Sequence, residues 1–172
     1  MIGSYIVKLA TKFALKKKKP DRVSPSYQQA KRIGIVFSFE NESFHEEVLN
    51  LVERIMNDGK SVETLTFIPK KQKNEEYDRP FFTDQDFSTK GKWKSENVMS
   101  FKATDFDYLI SADLEINKFI RNILASSKAK CRVGHHAEED EAYFELMINY
   151  SGRNTKEYLN QVYHYLTQMK NG

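Results

Sequence analysis

The stretch DFDYLISADLEINKFIRNILASSKAKCRVG, Asp105 to Gly134, constrains the fold more than any other part of the chain. Tyr108, Leu109 and Ile110 read as a short buried strand. Asp113 stands where a helix cap is expected, and Ile116, Phe119, Ile120, Ile123 and Leu124 recur at helical spacing. Cys131 to Gly134 reads as a second strand. Strand, helix and strand within about thirty residues make one βαβ unit, the building block of parallel sheets. Its turn, Ser111-Ala112-Asp113-Leu114-Glu115, is acidic and lacks glycine, which bears on chemistry as well as fold.

The flanking segments repeat the alternation. Ile33, Ile35, Val36, Phe37 and Phe39 form the near-continuous apolar run of a strand buried on both faces. Ser43-Phe44-His45-Glu46 matches a capping box, and the helix it predicts carries Phe44, Val48, Val52, Ile55 and Met56 before Gly59 ends it. Val62 to Ile68 is a second strand, stopped by Pro69. Lys70 to Pro80 reads as a loop, Phe81 to Phe87 as a short third strand and Ser95 to Ala103 as a short helix. Phe144 to Ile148 reads as a sixth strand. The last helix shows Tyr158, Leu159, Val162, Tyr165, Leu166 and Met169 at helical spacing. Right-handed crossovers leave few arrangements of such elements. The expected architecture is a three-layer αβα Rossmann-like domain with a mostly parallel sheet ordered 3-2-1-4-5-6.

Ahead of this domain, expected over residues 32–172, stand a helix over residues 1–20 and a linker over 21–31. Ile2, Tyr5, Ile6, Leu9, Ala10 and Phe13 mark one face of the helix, with Lys8, Lys12 and Lys16 on another. Lys16 to Lys19 suit a helix C-terminus, and Pro20 breaks the pattern. Residues 1–22 carry +6 of a net +3, so the remainder is acidic at −3, and the pI of 8.8 mostly describes the arm. With 172 residues, 40% of them apolar, the chain suits one domain with a full core. No apolar run approaches the ~20 residues needed to span a bilayer. The lysines follow the first apolar stretch instead of preceding it, so no secretory signal is expected. A single cysteine, Cys131, fits a reducing cytoplasm.

Several of these segments carry a resemblance. The lysine-rich first helix, Arg32-Ile33-Gly34-Ile35-Val36-Phe37, Phe106-Asp107-Tyr108-Leu109-Ile110, Ser127 to Gly134 and Glu145 to Asn149 resemble a family of uncharacterised bacterial proteins of about this length. That resemblance implies the fold and no activity. Residues 106–134 are also similar to part of the N-terminal domain of heptosyltransferase-type glycosyltransferases, through Ala129-Lys130 and Arg132-Val133-Gly134. Those enzymes place a Gly-Asp pair after the first strand, where this chain has Ser38-Phe39-Glu40-Asn41-Glu42. They also use a second Rossmann-like domain, so no catalytic residue carries over.

Ligands of open α/β sheets bind at the carboxyl ends of the strands, at the switch point between strands 1 and 4. Glu40, Asn41, Glu42 and Ser43 follow strand 1, and Ser111, Asp113 and Glu115 follow strand 4. His135, His136, Glu138, Glu139, Asp140 and Glu141 follow strand 5, while Lys70, Lys71 and Lys73 lie farther out after strand 2. This mostly acidic rim would repel a pyrophosphate, and neither G-x-G-x-x-G nor G-x-x-x-x-G-K-S/T occurs. No cofactor is therefore expected. Glu40, Glu42 and Asp113 are the carboxylates available for general-base work. His135, His136 and Glu138 are the metal-like group, although adjacent histidines on a strand point to opposite faces. Cys131 with either histidine could form a nucleophile, yet a free cysteine inside a strand ordinarily acts as a small apolar residue. Lys90-Gly91-Lys92-Trp93-Lys94 mixes base and aromatic as nucleic-acid binders do, or else Trp93 covers the sheet edge.

The arm remains the leading functional feature. An isolated helix this short is marginal in water, so its apolar face needs cover. That cover is its own domain, a homodimer partner, another protein or an anionic membrane surface, with Lys8, Lys12, Lys16, Lys17, Lys18 and Lys19 as the contact lysines. The leading expectation is a non-enzymatic binding or scaffold protein presenting a basic amphipathic helix. The alternatives are a degenerate or partner-dependent glycosyltransferase-like domain that takes a saccharide between strands 1 and 4, and an RNA- or ribosome-associated protein.

Overall fold

The computed structural model describes residues 2–17, 22–69 and 77–170. In chain order the elements are α1 (Ile2–Lys16), β1 (Arg32–Ser38), α2 (Glu42–Asn57), β2 (Ser61–Phe67), β3 (Phe81–Phe82), α3 (Glu96–Ala103), β4 (Tyr108–Ser111), α4 (Lys118–Ser126), β5 (Cys131–His135), β6 (Leu146–Ile148) and α5 (Thr155–Gln168). The six strands form one parallel sheet in the order β3-β2-β1-β4-β5-β6. This is the expected Rossmann-like order, and the sheet is parallel throughout.

Each face of the sheet buries its own cluster. Ile33, Ile35 and Phe37 of β1, Tyr108 and Ile110 of β4, and Cys131 and Val133 of β5 meet Val48, Leu51 and Ile55 of α2 and Tyr158, Val162 and Leu166 of α5. Val36, Leu65, Phe82 and Leu109 point the other way, toward Val98 of α3, Ile120 and Ile123 of α4, and Val7 of α1. The central strands read as unbroken apolar runs because both faces are covered. Two glycines permit close approach. A Cβ on Gly34 would lie 2.8 Å from the Phe106 ring, and one on Gly134 would lie 2.2 Å from the Phe144 ring. Each aromatic ring occupies the space that its glycine leaves empty.

Helix ends differ in part from the sequence reading. Asn41, not Ser43, caps α2: its side chain accepts the Phe44 N–H at 2.9 Å. The helix therefore starts two residues earlier than the capping box predicts. The other end is as expected. Gly59 takes φ +80°, its N–H reaches the Met56 carbonyl and the Lys60 N–H reaches that of Ile55, a Schellman closure. Asn117, not Asp113, caps α4, accepting the N–H groups of Phe119 and Ile120 at 2.8 and 3.1 Å. Strand β3 spans two residues, because Thr83 and Asp86 then close a capping box around a 3₁₀ turn, Asp84–Asp86.

Residues 22–31, within the segment expected as a linker, lie against the body. Tyr27 and Ala30 are buried, the Tyr27 hydroxyl donates to Asp58 at 2.7 Å, and the Lys60 ammonium donates to the Tyr27 carbonyl at 2.7 Å. Arg22 reaches the Ala129 carbonyl at 2.6 Å. The Tyr108 hydroxyl donates to the Pro25 carbonyl.

Helix α1 docks along α4, but not by the expected face. Val7 and Thr11 face inward at 1% and 4% exposure, while Tyr5, Leu9 and Phe13 stand at 69%, 42% and 60%. Apolar residues surround most of this helix, since Val7, Ala14 and Leu15 lie outside the predicted stripe. Hydrophobicity alone therefore did not select a side. A buried polar chain did. The Trp93 indole N–H donates to Asn122 Oδ1 at 2.8 Å, Asn122 Nδ2 donates to Thr11 Oγ1 at 3.1 Å, and Thr11 donates to the Val7 carbonyl at 2.8 Å. Leaving such groups buried and unpaired costs about 1–3 kcal/mol each. Turning α1 to bury Leu9 and Phe13 would break this chain.

Candidate functional site

The switch point between β1 and β4 is occupied by its own polar groups. Ser38 ends β1, and Asp113 follows β4. Asp113 accepts the Ser38 N–H at Oδ1 (2.8 Å) and the Ser38 hydroxyl at Oδ2 (2.7 Å). Asn117 Nδ2 donates to the same hydroxyl at 3.0 Å while its Oδ1 caps α4. The carboxyl of Asp113 is fully buried. Burial pushes its pKa up to about 7 against the two Ser38 hydrogen bonds, with Glu40 adding a smaller upward push. Glu40 and Glu42 are exposed, so the three carboxylates do not share one environment. Asp113 ties two strand ends together and has its acceptor atoms engaged. Ser38 and Asn117 were missed at the sequence level. Asn117 was detectable as a capping residue immediately before the apolar run of α4.

The histidines separate as strand geometry requires. His135 Nε2 lies 2.7 Å from the Tyr150 carbonyl, and its ring meets Tyr158 edge-on. His136 and Glu138 are exposed. Among the described residues, no group of three or more His, Cys, Asp or Glu side chains could hold a metal ion. Asp140 is engaged by Arg121, with Nε at 2.6 Å from Oδ1. Cys131 is buried, and burial raises its thiol pKa to about 11, with the Ser24 hydroxyl 3.6 Å from Sγ. A thiol held neutral in this way is a poor nucleophile. Lys70, Lys71 and Lys73 lie outside the described residues.

Trp93 is not available for stacking on a nucleic acid. Its ring is buried edge-on against Phe82 and Phe87, with its N–H committed to Asn122. It covers edge strand β3. Lys90, Lys92 and Lys94 around it remain exposed.

The outer side of α1 is the most unusual surface. Tyr5, Leu9 and Phe13 succeed one another at four-residue steps and form a ridge. Lys8, Lys12 and Lys16 run at the same step beside it, all exposed, as is Lys17. Lys18 and Lys19 lie outside the described residues. A cavity of about 270 Å³ opens at the start of α1, where Ser4 and Val7 meet Phe87, Thr89 and Phe119. Glu40, Glu42 and Asp113 do not line it.

A family model matches residues 4–169. The chain belongs to the family of unknown function DUF6913. No curated protein and no solved structure matches it. The DUF6913 match spans the first helix as well as the sheet and gives no support to the glycosyltransferase likeness. In this DUF6913 chain, the segments that carried the resemblance hold the fold together. Asp107 accepts the N–H groups of Lys31 and Arg32 at 2.7 and 3.1 Å and the Lys130 ammonium at 2.7 Å. Burial alone would raise its pKa, but those three donors hold it below the ordinary carboxyl value. Arg132, fully buried on β5, grips Glu145 through two guanidinium nitrogens at 3.0 and 2.6 Å and reaches the Leu124 and Ala142 carbonyls. No helix among the described residues is long and apolar enough to cross a membrane.

Proposed function

We propose that this protein is a non-enzymatic binding module, with a Rossmann-like body that presents the outer face of α1 to a partner surface. The observation that carries the reading is the Tyr5–Leu9–Phe13 ridge, exposed on a helix whose other side is anchored. A helix held in place only by its apolar side would have turned that side inward. This one is held by Thr11 and Val7, and it keeps two aromatic rings and a leucine in water. Exposed apolar patches rimmed by polar residues mark interaction sites. The switch point supports the same reading, since Asp113, Ser38 and Asn117 use their polar atoms on one another. The lone buried cysteine is in keeping with a cytoplasmic location.

The test is a photoreactive diazirine residue placed at Leu9 in the full chain, with Tyr165 of α5, on the opposite layer, as the control position. In living cells the reading predicts adducts, to protein or to lipid, from position 9 and few from position 165. Equal or absent adducts at position 9 would overturn it.

A further inference from the structure

We infer that the partner surface is an anionic lipid bilayer, contacted by the α1 ridge between two rows of lysines. The inference rests on the binding reading above and adds the partner and a second contact segment. The first lysine row is Lys8, Lys12 and Lys16, on one flank of the ridge. Ile6 and Ala10 form the other flank, and the 88–94 turn packs against them. A methyl on Gly91 would lie 3.7 Å from Ala10 Cβ and 3.8 Å from Ile6 Cγ2. This places Lys90 and Lys92, both exposed, along the side of the ridge away from Lys8 and Lys12. The turn is fixed there. The Ser88 N–H reaches the Lys92 carbonyl at 2.8 Å, Gly91 adopts φ +74°, and Trp93 is pinned through Asn122 to the same Thr11 that orients α1. Neither residues 2–17 nor residues 88–94 contain an acidic side chain.

Charge and shape select the bilayer over the other occupants. A second copy of this face, paired about a twofold axis, would set cationic flank against cationic flank. The ridge is convex, with side chains that project from a helix lying flat on the body. Aromatic and leucine side chains entering the headgroup boundary, flanked by lysines whose stems snorkel, are the makeup of an interfacial helix. Attraction to anionic lipid then scales with the number of lysines near the surface, about fivefold in partitioning for each.

Flotation of the purified full chain with vesicles tests this. The expected result is co-flotation with phosphatidylglycerol-rich vesicles and none with phosphatidylcholine alone. The variant Tyr5→Ser/Leu9→Ser/Phe13→Ser should keep its melting temperature and lose flotation. Lys8→Gln/Lys12→Gln and, separately, Lys90→Gln/Lys92→Gln should each weaken partitioning by more than tenfold. Absence of flotation on anionic vesicles, or flotation that survives the ridge variant, would overturn the bilayer. Salt-steep retention on RNA without flotation would do the same in favour of nucleic acid. If flotation fails while position 9 still forms protein adducts in cells, the bilayer falls and the binding module stands. If position 9 forms no adducts at all, both fall.

Discussion

Asp113 is where burial and hydrogen bonding oppose each other most directly in this molecule. With its pKa near 7, the folded chain holds a proton that the unfolded chain releases near the ordinary carboxyl value. Between about pH 4 and pH 7 the folded state therefore binds more protons, and its stability falls as pH rises through that window. Asp113→Asn stays neutral and can still accept the Ser38 N–H, so it removes this dependence. The stability difference between wild type and Asp113→Asn is expected to shift against the wild type by up to about 4 kcal/mol from pH 4 to pH 7.5. Urea titrations at several pH values read that difference, and a flat result would show that the carboxyl ionises as it would in water. The sequence displayed Asp113 but not its role. A cap and a strand tie need the same residue type at nearly the same place, and only the position of Ser38 across the sheet decides between them. Cys131 was easier to read, since a lone cysteine between apolar residues in a strand has little to do but pack.

Elements were legible where periodicity was long. Helices α2, α4 and α5 follow from apolar spacing, because each buries one face against the sheet, and the order of the six strands follows from their alternation with helices and right-handed crossovers. The orientation of α1 did not follow, because its apolar residues extend most of the way round and three polar atoms on distant elements fix the choice. Asn122, a polar residue within the buried stretch of α4, was the available signal. Asn122→Ala would leave the Trp93 indole N–H without an acceptor and is expected to cost about 1–3 kcal/mol. In amide exchange, protection in α1 should fall well before protection in α5. A uniform loss across both helices would mean that Asn122 supports the core generally and does not dock α1.

At the scale of the whole molecule, the parallel sheet is a support, and the exposed helix is the proposed contact. The layer formed by α2 and α5 shows no comparable ridge. Its exposed apolar side chains, Met56 and Tyr165, stand singly on separate helices. The exposed lysines Lys8, Lys12, Lys16 and Lys17 lie with the ridge on the α1 layer. This account depends on which side of α1 faces outward, and thiol labelling reads that directly. Val7→Cys, Leu9→Cys and Phe13→Cys would be compared under native conditions, with buried Cys131 as the internal slow reference. The account predicts that Leu9→Cys and Phe13→Cys label at the rate of a free thiol while Val7→Cys stays as protected as Cys131. Rapid labelling of Val7→Cys together with protection of Leu9→Cys would contradict it.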